Sequence, residues 1–167
     1  AGEDFYFLQK IFNLGNFTEC NTTRVIPSPR PSDRVPFGTG KVIIEYFDSG
    51  KNIHTYNIKL FIELKEFIHY IKHINPLTAN FKKDFLNALP PVLSEYLKSI
   101  RIEEIIEEII LNSSSEESFR KRFFRWFNMF RVMKFLNYGK TIYTDVEVSD
   151  AAANLLRMKD IIISDND

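Results

Sequence analysis

The chain has 167 residues, of which 44% are hydrophobic, as in an ordinary folded domain or a piece of a larger one. It carries 22 basic and 22 acidic residues, so no net charge draws it to nucleic acid or to an anionic membrane. Charged residues interrupt its apolar stretches, which argues against a transmembrane segment. These properties predict a folded protein that is recruited neither to nucleic acid nor to lipid by bulk charge.

The start of the chain and its cysteine content bear on its origin and location. The first residue is Ala1 rather than an initiator methionine, which predicts that the chain is the C-terminal part of a larger protein. No basic-then-apolar leader opens the sequence, and a single cysteine, Cys20, cannot form an internal disulfide. We therefore expect a cytoplasmic protein.

The first forty residues predict a helix, a strand and a long loop. Apolar residues at helical spacing fill Asp4 to Leu14, and Gly15 provides a C-cap. The stretch from Phe17 to Ile26 is rich in Thr and Val, which predicts a strand that buries Cys20. Four prolines and two glycines between Pro27 and Gly40 exclude regular structure and predict a loop.

The rest of the chain has a helical pattern. Residues 41–47 fit either a short helix or a strand, with helix favoured. Five further helices are predicted by apolar periodicity and by start and stop signals, over residues 58–74, 89–98, 101–111, 116–138 and 149–159. The serines and glutamates of residues 113–117 predict a capping box at the start of the longest of them. The fold class is therefore mostly α, with a bundle of about five helices.

Two other patterns are explained by the fold without a functional site. Aromatic residues alternate with basic ones between Phe119 and Phe127, as in some proteins that bind single-stranded nucleic acid. On a helix these aromatics share one face and the basic residues cover the others, so a core helix with a solvated basic side is the better interpretation. His69 and His73 lie four residues apart, but no flanking Cys or carboxylate completes a metal-binding motif, and surface histidines are favoured.

The most specific pattern lies at the start, where GEDFYFLQKIFNLGNF is followed by NTTRVIPSPR and SDRVPFGTG. This run resembles the second half of the catalytic domain in family 2 glycosyltransferases, which are inverting enzymes of the nucleotide-binding GT-A fold. In that family an acidic pair opens a helix, a glycine ends it, and a strand leads to a loop that helps to bind substrate. The resemblance covers residues 1 to about 47 and, more faintly, the helical remainder.

The resemblance implies a catalytic role for the acidic pair. Asp4 would be the general base that deprotonates the acceptor hydroxyl, and Glu3 would be its acidic neighbour. A carboxylate at a helix start, if partly desolvated and beside another carboxylate, can gain affinity for a proton and serve as a base near neutral pH. The alternative is that Glu3 and Asp4 only cap the helix.

The loop supplies the implied substrate-binding residues. They are Arg30, Ser32, Asp33, Arg34 and Thr39. Guanidinium groups suit the diphosphate of a donor or an anionic acceptor. In the alternative interpretation, Arg34 pairs with Asp33 or Glu3, and Thr39 only shapes the turn.

The resemblance also implies cofactors and partners of a larger parent protein. The family's donor-binding half, whose aspartates hold Mn²⁺ or Mg²⁺ and the nucleotide, would precede Ala1, so no cofactor is expected in this chain. The parent would bind a nucleotide-sugar donor and a sugar or glycan acceptor, while this chain alone would be inactive.

Residues 1–47 are accordingly predicted to be the C-terminal end of the glycosyltransferase domain, a short helix-strand piece of a truncated α/β fold. Residues 48–167 are predicted to form a helical C-terminal module. Alternatively, the helical part is an interaction or oligomerisation module without a catalytic role, through which the protein would form a homo-oligomer.

Overall fold

A computed structural model describes residues 3–16, 18–26, 39–50, 52–76, 78, 81 and 85–158. This part of the chain is mostly α, as predicted, with eight helices and one two-stranded ribbon. The helices are α1 (Glu3–Leu14), α2 (Thr39–Ser49), α3 (Ile58–His73), α4 (Pro91–Ser99), α5 (Ile102–Leu111), α6 (Glu116–Trp126), α7 (Met129–Gly139) and α8 (Val148–Met158). The strands β1 (His54–Thr55) and β2 (Val146–Glu147) pair antiparallel, with His54 opposite Glu147.

The hydrophobic core lies among α3 to α7, and α4 is its central helix, in contact with α3, α5 and α7. Phenylalanines dominate this core. Phe67 of α3 packs edge-on against Phe127, with ring centroids 5.0 Å apart, and against Phe123 at 5.7 Å. Burying one such side chain stabilises the fold by about 1.5–3 kcal/mol, so the aromatic cluster accounts for much of the stability of the helical body, residues 52–158.

The predicted strand over residues 17–26 is wrong for the described residues 18–26, which form turns and extended loop without strand pairing. A strand needs a neighbour to satisfy its backbone hydrogen bonds, and the described chain offers none to this segment. Cys20 is consequently exposed rather than buried. Residues 41–47, in contrast, are helical within α2, as favoured from the sequence.

The long helix predicted over residues 116–138 is two helices. α6 ends at Trp126, and the side chain of Asn128 accepts hydrogen bonds from the backbone N–H groups of Phe130 and Arg131, at 3.1 and 3.2 Å. An Asn cap of this kind starts a new helix, so the chain turns while the aromatic face stays buried. At the start of α6 the predicted serine cap is present, because Ser115 Oγ accepts from Ser118 N–H at 3.2 Å.

A buried carboxylate joins α3 to the start of α4. Glu63 is only 6% exposed, and its Oε2 accepts a hydrogen bond from Leu93 N–H at 2.8 Å. The cap residue of α4 is Pro90, which has no side-chain acceptor, and Pro91 follows it at the first helical position. Glu63 therefore satisfies from outside an N–H group that the helix itself leaves without a partner. Its Oε1 also accepts from Tyr143 Oη at 3.2 Å.

A glycine allows α7 to approach α3 closely. A Cβ atom added to Gly139 would overlap the Leu60 side chain, which is fully buried. The overlapping methyl groups belong to a core side chain packed on all sides, so making room for the Cβ atom would disturb its neighbours, unlike a shift of a surface side chain. Gly139 is therefore present for space, since its backbone φ is not in the left-handed region.

We predict that Gly139→Ala destabilises the protein by about 1–3 kcal/mol, because overpacking a filled core costs more than the helix propensity that alanine gains. Urea unfolding monitored by circular dichroism measures this change. The double variant Gly139→Ala/Leu60→Ala should be more stable than the sum of the two single changes predicts, because removing the Leu60 methyl groups creates the missing space. Strict additivity would contradict the contact.

We also predict that Glu63→Ala lowers the free energy of unfolding by about 1–3 kcal/mol, since it leaves Leu93 N–H buried without its acceptor. The matched control is Glu66→Ala on the same helix, where the side chain is exposed, and it should change the free energy by less than about 0.5 kcal/mol. Equal effects of the two substitutions would show that α4 does not depend on this carboxylate.

Candidate functional site

The predicted catalytic carboxylate, Asp4, lies in the first turn of α1 and is exposed to solvent. Within the described part of the chain, no hydrogen bond or ion pair joins its side chain to another residue. The carboxylate is thus open to a substrate and is favourably placed near the positive end of the helix dipole. The desolvation that would strengthen it as a base is not provided by the described residues.

The other predicted site residues are described only in part. Glu3 is the first residue of α1 and Thr39 the first of α2, but in both cases the structure describes the backbone and not the side chain. Arg30, Ser32, Asp33 and Arg34 lie outside the described residues. Of the predicted site, the structure therefore describes the backbone at two helix starts and a single side chain, that of Asp4.

The glycine cap predicted for α1 is present. Gly15 has a φ of +68°, in the left-handed region that glycine adopts without strain, and its N–H donates to Phe12 O at 3.4 Å. A Cβ at this position would meet nothing within 4 Å, so the backbone angle and not crowding requires glycine. The cap ends α1 and releases the chain into the following loop.

The first two helices keep their apolar side chains at the surface. No described side chain between Asp4 and Gly50 is buried. Phe7 is 63% exposed on α1 and Phe47 is 68% exposed on α2. The other large apolar side chains exposed on these helices are Tyr6, Leu8, Phe12, Val42 and Tyr46. Aromatic surface of this density marks an area that packs against something else.

Cys20 lies beside Thr22 in the turn that follows α1. Its sulfur is 3.4 Å from the Thr22 hydroxyl, and hydrogen bonds from the Thr22 side chain and backbone lower the pKa of the thiol below its ordinary value. No histidine contacts it among the described residues. The structure thus shows an accessible thiol without a catalytic partner.

The two helical histidines stack on each other at the surface of α3. Their ring centroids are 4.1 Å apart, and His73 Nδ1 lies 2.7 Å from His69 O. Both are exposed, as the sequence indicated. Across the described residues, no group of three or more histidine, cysteine, aspartate and glutamate side chains is arranged to hold a metal ion.

A groove between α5 and α6 was missed by the sequence analysis. It has a volume of about 290 Å³ and combines charged, amide and aromatic side chains, namely Glu108, Asn112, Arg122, Arg125 and Trp126, with the aliphatic Ile105 and Ile109. Each helix read alone gives an apolar face and a charged face. Only the packing of α5 against α6 brings the edges of their charged faces together beside Trp126.

Comparison with known proteins gives no match, whether with family models, with curated sequences or with solved structures. Among the described helices, none combines the length and the apolar character needed to cross a membrane.

Proposed function

We propose that this chain is the C-terminal part of an inverting, family 2-like glycosyltransferase, and that Asp4 is the general base for the acceptor hydroxyl. The observation that carries the proposal is the acidic pair at the start of a glycine-capped helix, followed in the sequence by SDRVPFGTG, whose last two residues, Thr39 and Gly40, begin α2 rather than ending a loop as predicted. The carboxylate of Asp4 is exposed and has no partner among the described residues, which supports the proposal because a base must be free to meet its substrate.

In the proposed reaction, Asp4 takes the proton of the acceptor hydroxyl as that oxygen attacks the anomeric carbon of the donor. A new carbon–oxygen bond forms, the bond from the anomeric carbon to the nucleotide phosphate breaks, and the nucleotide diphosphate leaves on the opposite face with the bond electrons. Glu3 is the acidic neighbour of the base. Arg30 and Arg34 are proposed to neutralise the diphosphate or an anionic acceptor, with Ser32, Asp33 and Thr39 as further substrate contacts.

The divalent ion that the resemblance implies, Mn²⁺ or Mg²⁺, belongs to the proposed parent protein. It would screen the charge of the departing diphosphate. The described residues provide no cluster of three or more candidate ligands, so no step of the proposal passes through the ion.

The exposed apolar faces of α1 and α2 support a larger catalytic domain. Side chains such as Phe7 and Phe47 would gain about 1.5–3 kcal/mol each on burial, so a covering body would be strongly favoured. We propose that this body is the nucleotide-binding half, which would also surround Asp4 and exclude water from it. Without that half, this chain alone is inactive. The single cysteine supports a cytoplasmic location for the reaction.

The test is transfer by the full-length protein from a panel of nucleotide sugars. Asp4→Asn should lower the turnover number by about 100- to 10,000-fold, the usual contribution of a general base, while donor binding remains. The control is Asp48→Asn, which removes an exposed carboxylate at the end of α2 and should leave transfer within about twofold. Full activity of Asp4→Asn would reduce Asp4 to a helix cap, and hydrolytic or other chemistry would refute the family assignment.

A second function, self-association through the helical body, is favoured by the surface of α8. This helix has no buried residue, and Leu155 and Val148 are 49% and 46% exposed beside Phe61 of α3, which is 43% exposed. The three side chains border one apolar groove of about 350 Å³. A second copy covering this groove would remove these side chains from water.

For this second function, we expect sedimentation velocity of the chain to show a dimer that Leu155→Asp converts to monomer. A new charge in an apolar interface would be buried without a partner. The matched control is Asn154→Asp, which adds the same charge at the neighbouring position of α8 and should leave the dimer intact. A monomer at all concentrations would exclude the oligomerisation role.

A further inference from the structure

The groove between α5 and α6 presents both an apolar floor and polar walls. Of its apolar lining residues, Ile109 is buried, and Ile105 and Trp126 are half-buried. Glu108 and Asn112 come from α5, while Arg122 and Arg125 come from α6. The volume of about 290 Å³ is enough for one ring-sized group and its substituents.

The charged groups on the two walls do not neutralise each other. Within the described residues, neither Arg122 nor Arg125 has a hydrogen-bond or ion-pair partner, and the Glu108 carboxylate has none either. Nearby charges do pair, since Arg120 binds Glu116 at 2.6 Å and Arg101 lies 3.6 Å from Glu104. Opposite charges thus line one groove while remaining available to a third group.

The Arg131 side chain holds the indole ring of Trp126 in place. The guanidinium carbon of Arg131 lies 4.4 Å from the centroid of the indole ring, and Arg131 Nη1 donates to Trp126 O at 2.7 Å. A cation over the face and a bond to the backbone fix the ring before any ligand arrives. The Asn112 amide is fixed similarly, because its Nδ2 donates to Glu108 O at 2.8 Å, which leaves its Oδ1 to accept.

We propose that this groove binds an anionic sugar residue, a ring that carries a carboxylate or a phosphate group. The anionic group would be bound by the forks of Arg122 and Arg125, and ring hydroxyls would donate to the Glu108 carboxylate and to Asn112 Oδ1. The apolar C–H surface of the ring would pack against Trp126. Each polar group of the groove then has a partner of the complementary type.

The same residues disfavour two other ligand classes. A nucleic acid strand would place a phosphate backbone beside the Glu108 carboxylate, and the chain has no net positive charge to compensate. A purely apolar ligand would desolvate two guanidinium groups and a carboxylate without pairing them, which is costly. A ligand that is both anionic and rich in hydroxyl groups avoids both costs.

This binding site lies on the helical body and does not depend on the proposed transfer reaction. If both hold, an inference that rests on the proposed function follows, namely that the acceptor or product is an acidic glycan. The experiment below measures binding alone, so its failure would leave the activity of the full-length protein, and the role of Asp4 in it, unaffected.

The test uses the fluorescence of Trp126, which is the single tryptophan of the chain. The folded chain is titrated with trigalacturonic acid, with glucose 6-phosphate, with maltotriose as the uncharged analogue, and with inorganic phosphate. We expect a saturable change in emission with at least one of the two anionic sugars, and the stronger binder identifies the source of the charge. The indole N–H resonance of Trp126 in a ¹H–¹⁵N spectrum provides a second measurement.

Variants then locate the binding. Arg122→Gln and Arg125→Gln should each weaken the affinity by about tenfold or more, the usual effect of losing a charge-assisted hydrogen bond. Lys121→Gln is the matched control, because Lys121 is exposed on the same helix but does not line the groove, and its effect should be below about twofold. Four results would overturn the proposal: no response to either anionic sugar, equal binding of maltotriose, equal binding of inorganic phosphate, or an equal loss in Lys121→Gln.

Discussion

The helical body depends on a carboxylate in a place where carboxylates are seldom found. Glu63 is buried on α3, and the central helix α4 begins with two prolines, neither of which can accept a side-chain cap bond. The helix start therefore needs an acceptor from elsewhere, and Glu63 supplies it to Leu93 N–H. The negative charge also faces the positive end of the α4 dipole, which offsets part of the cost of burial.

The same carboxylate fixes a third part of the chain. The Tyr143 hydroxyl donates to Glu63 Oε1, and burial together with this hydrogen bond raises the pKa of Tyr143. Tyr143 lies in the connection between α7 and the ribbon strand β2, on which α8 rests. One side chain on α3 therefore sets the start of α4 and the path of the chain towards α8. The hydrophobic contacts of the aromatic core are non-directional, so they do not by themselves fix these helix positions.

The helices of the core could be predicted from the sequence because each one buries one face there, and the buried face appears as apolar residues at helical spacing. The helices α3, α4 and α5 begin and end within about two residues of their predicted bounds. The break at Asn128 was missed because the aromatic period continues across it, from Phe123 and Phe127 to Phe130. The capping role of Asn128 depends on where its side chain points, which the periodicity of the sequence does not show.

The candidate sites are harder to predict than the helices, because they depend on contacts between segments that are distant in the sequence. A strand over residues 18–26 requires a neighbouring strand, and composition alone does not reveal whether one is present. The α5–α6 groove likewise exists only between helices, so Glu108 and Arg122 looked like parts of two unrelated solvated faces. Trp126 does provide a local signal, because tryptophan combines a large apolar surface with a polar N–H group and is enriched at interfaces.

The two parts of the chain differ in how they use apolar surface, and this difference separates their functions. The body, residues 52–158, buries most of its described phenylalanines in its own core, so its groove lies on a packed scaffold that needs no further folding. In α1 and α2 no described side chain is buried, and the rings of Phe7 and Phe47 lie open. A general base must be held to within a fraction of an ångström to be effective, and an unpacked helix cannot hold it so. The proposed catalysis by Asp4 would thus require a surface that covers α1, whereas the proposed binding in the groove would require only the body.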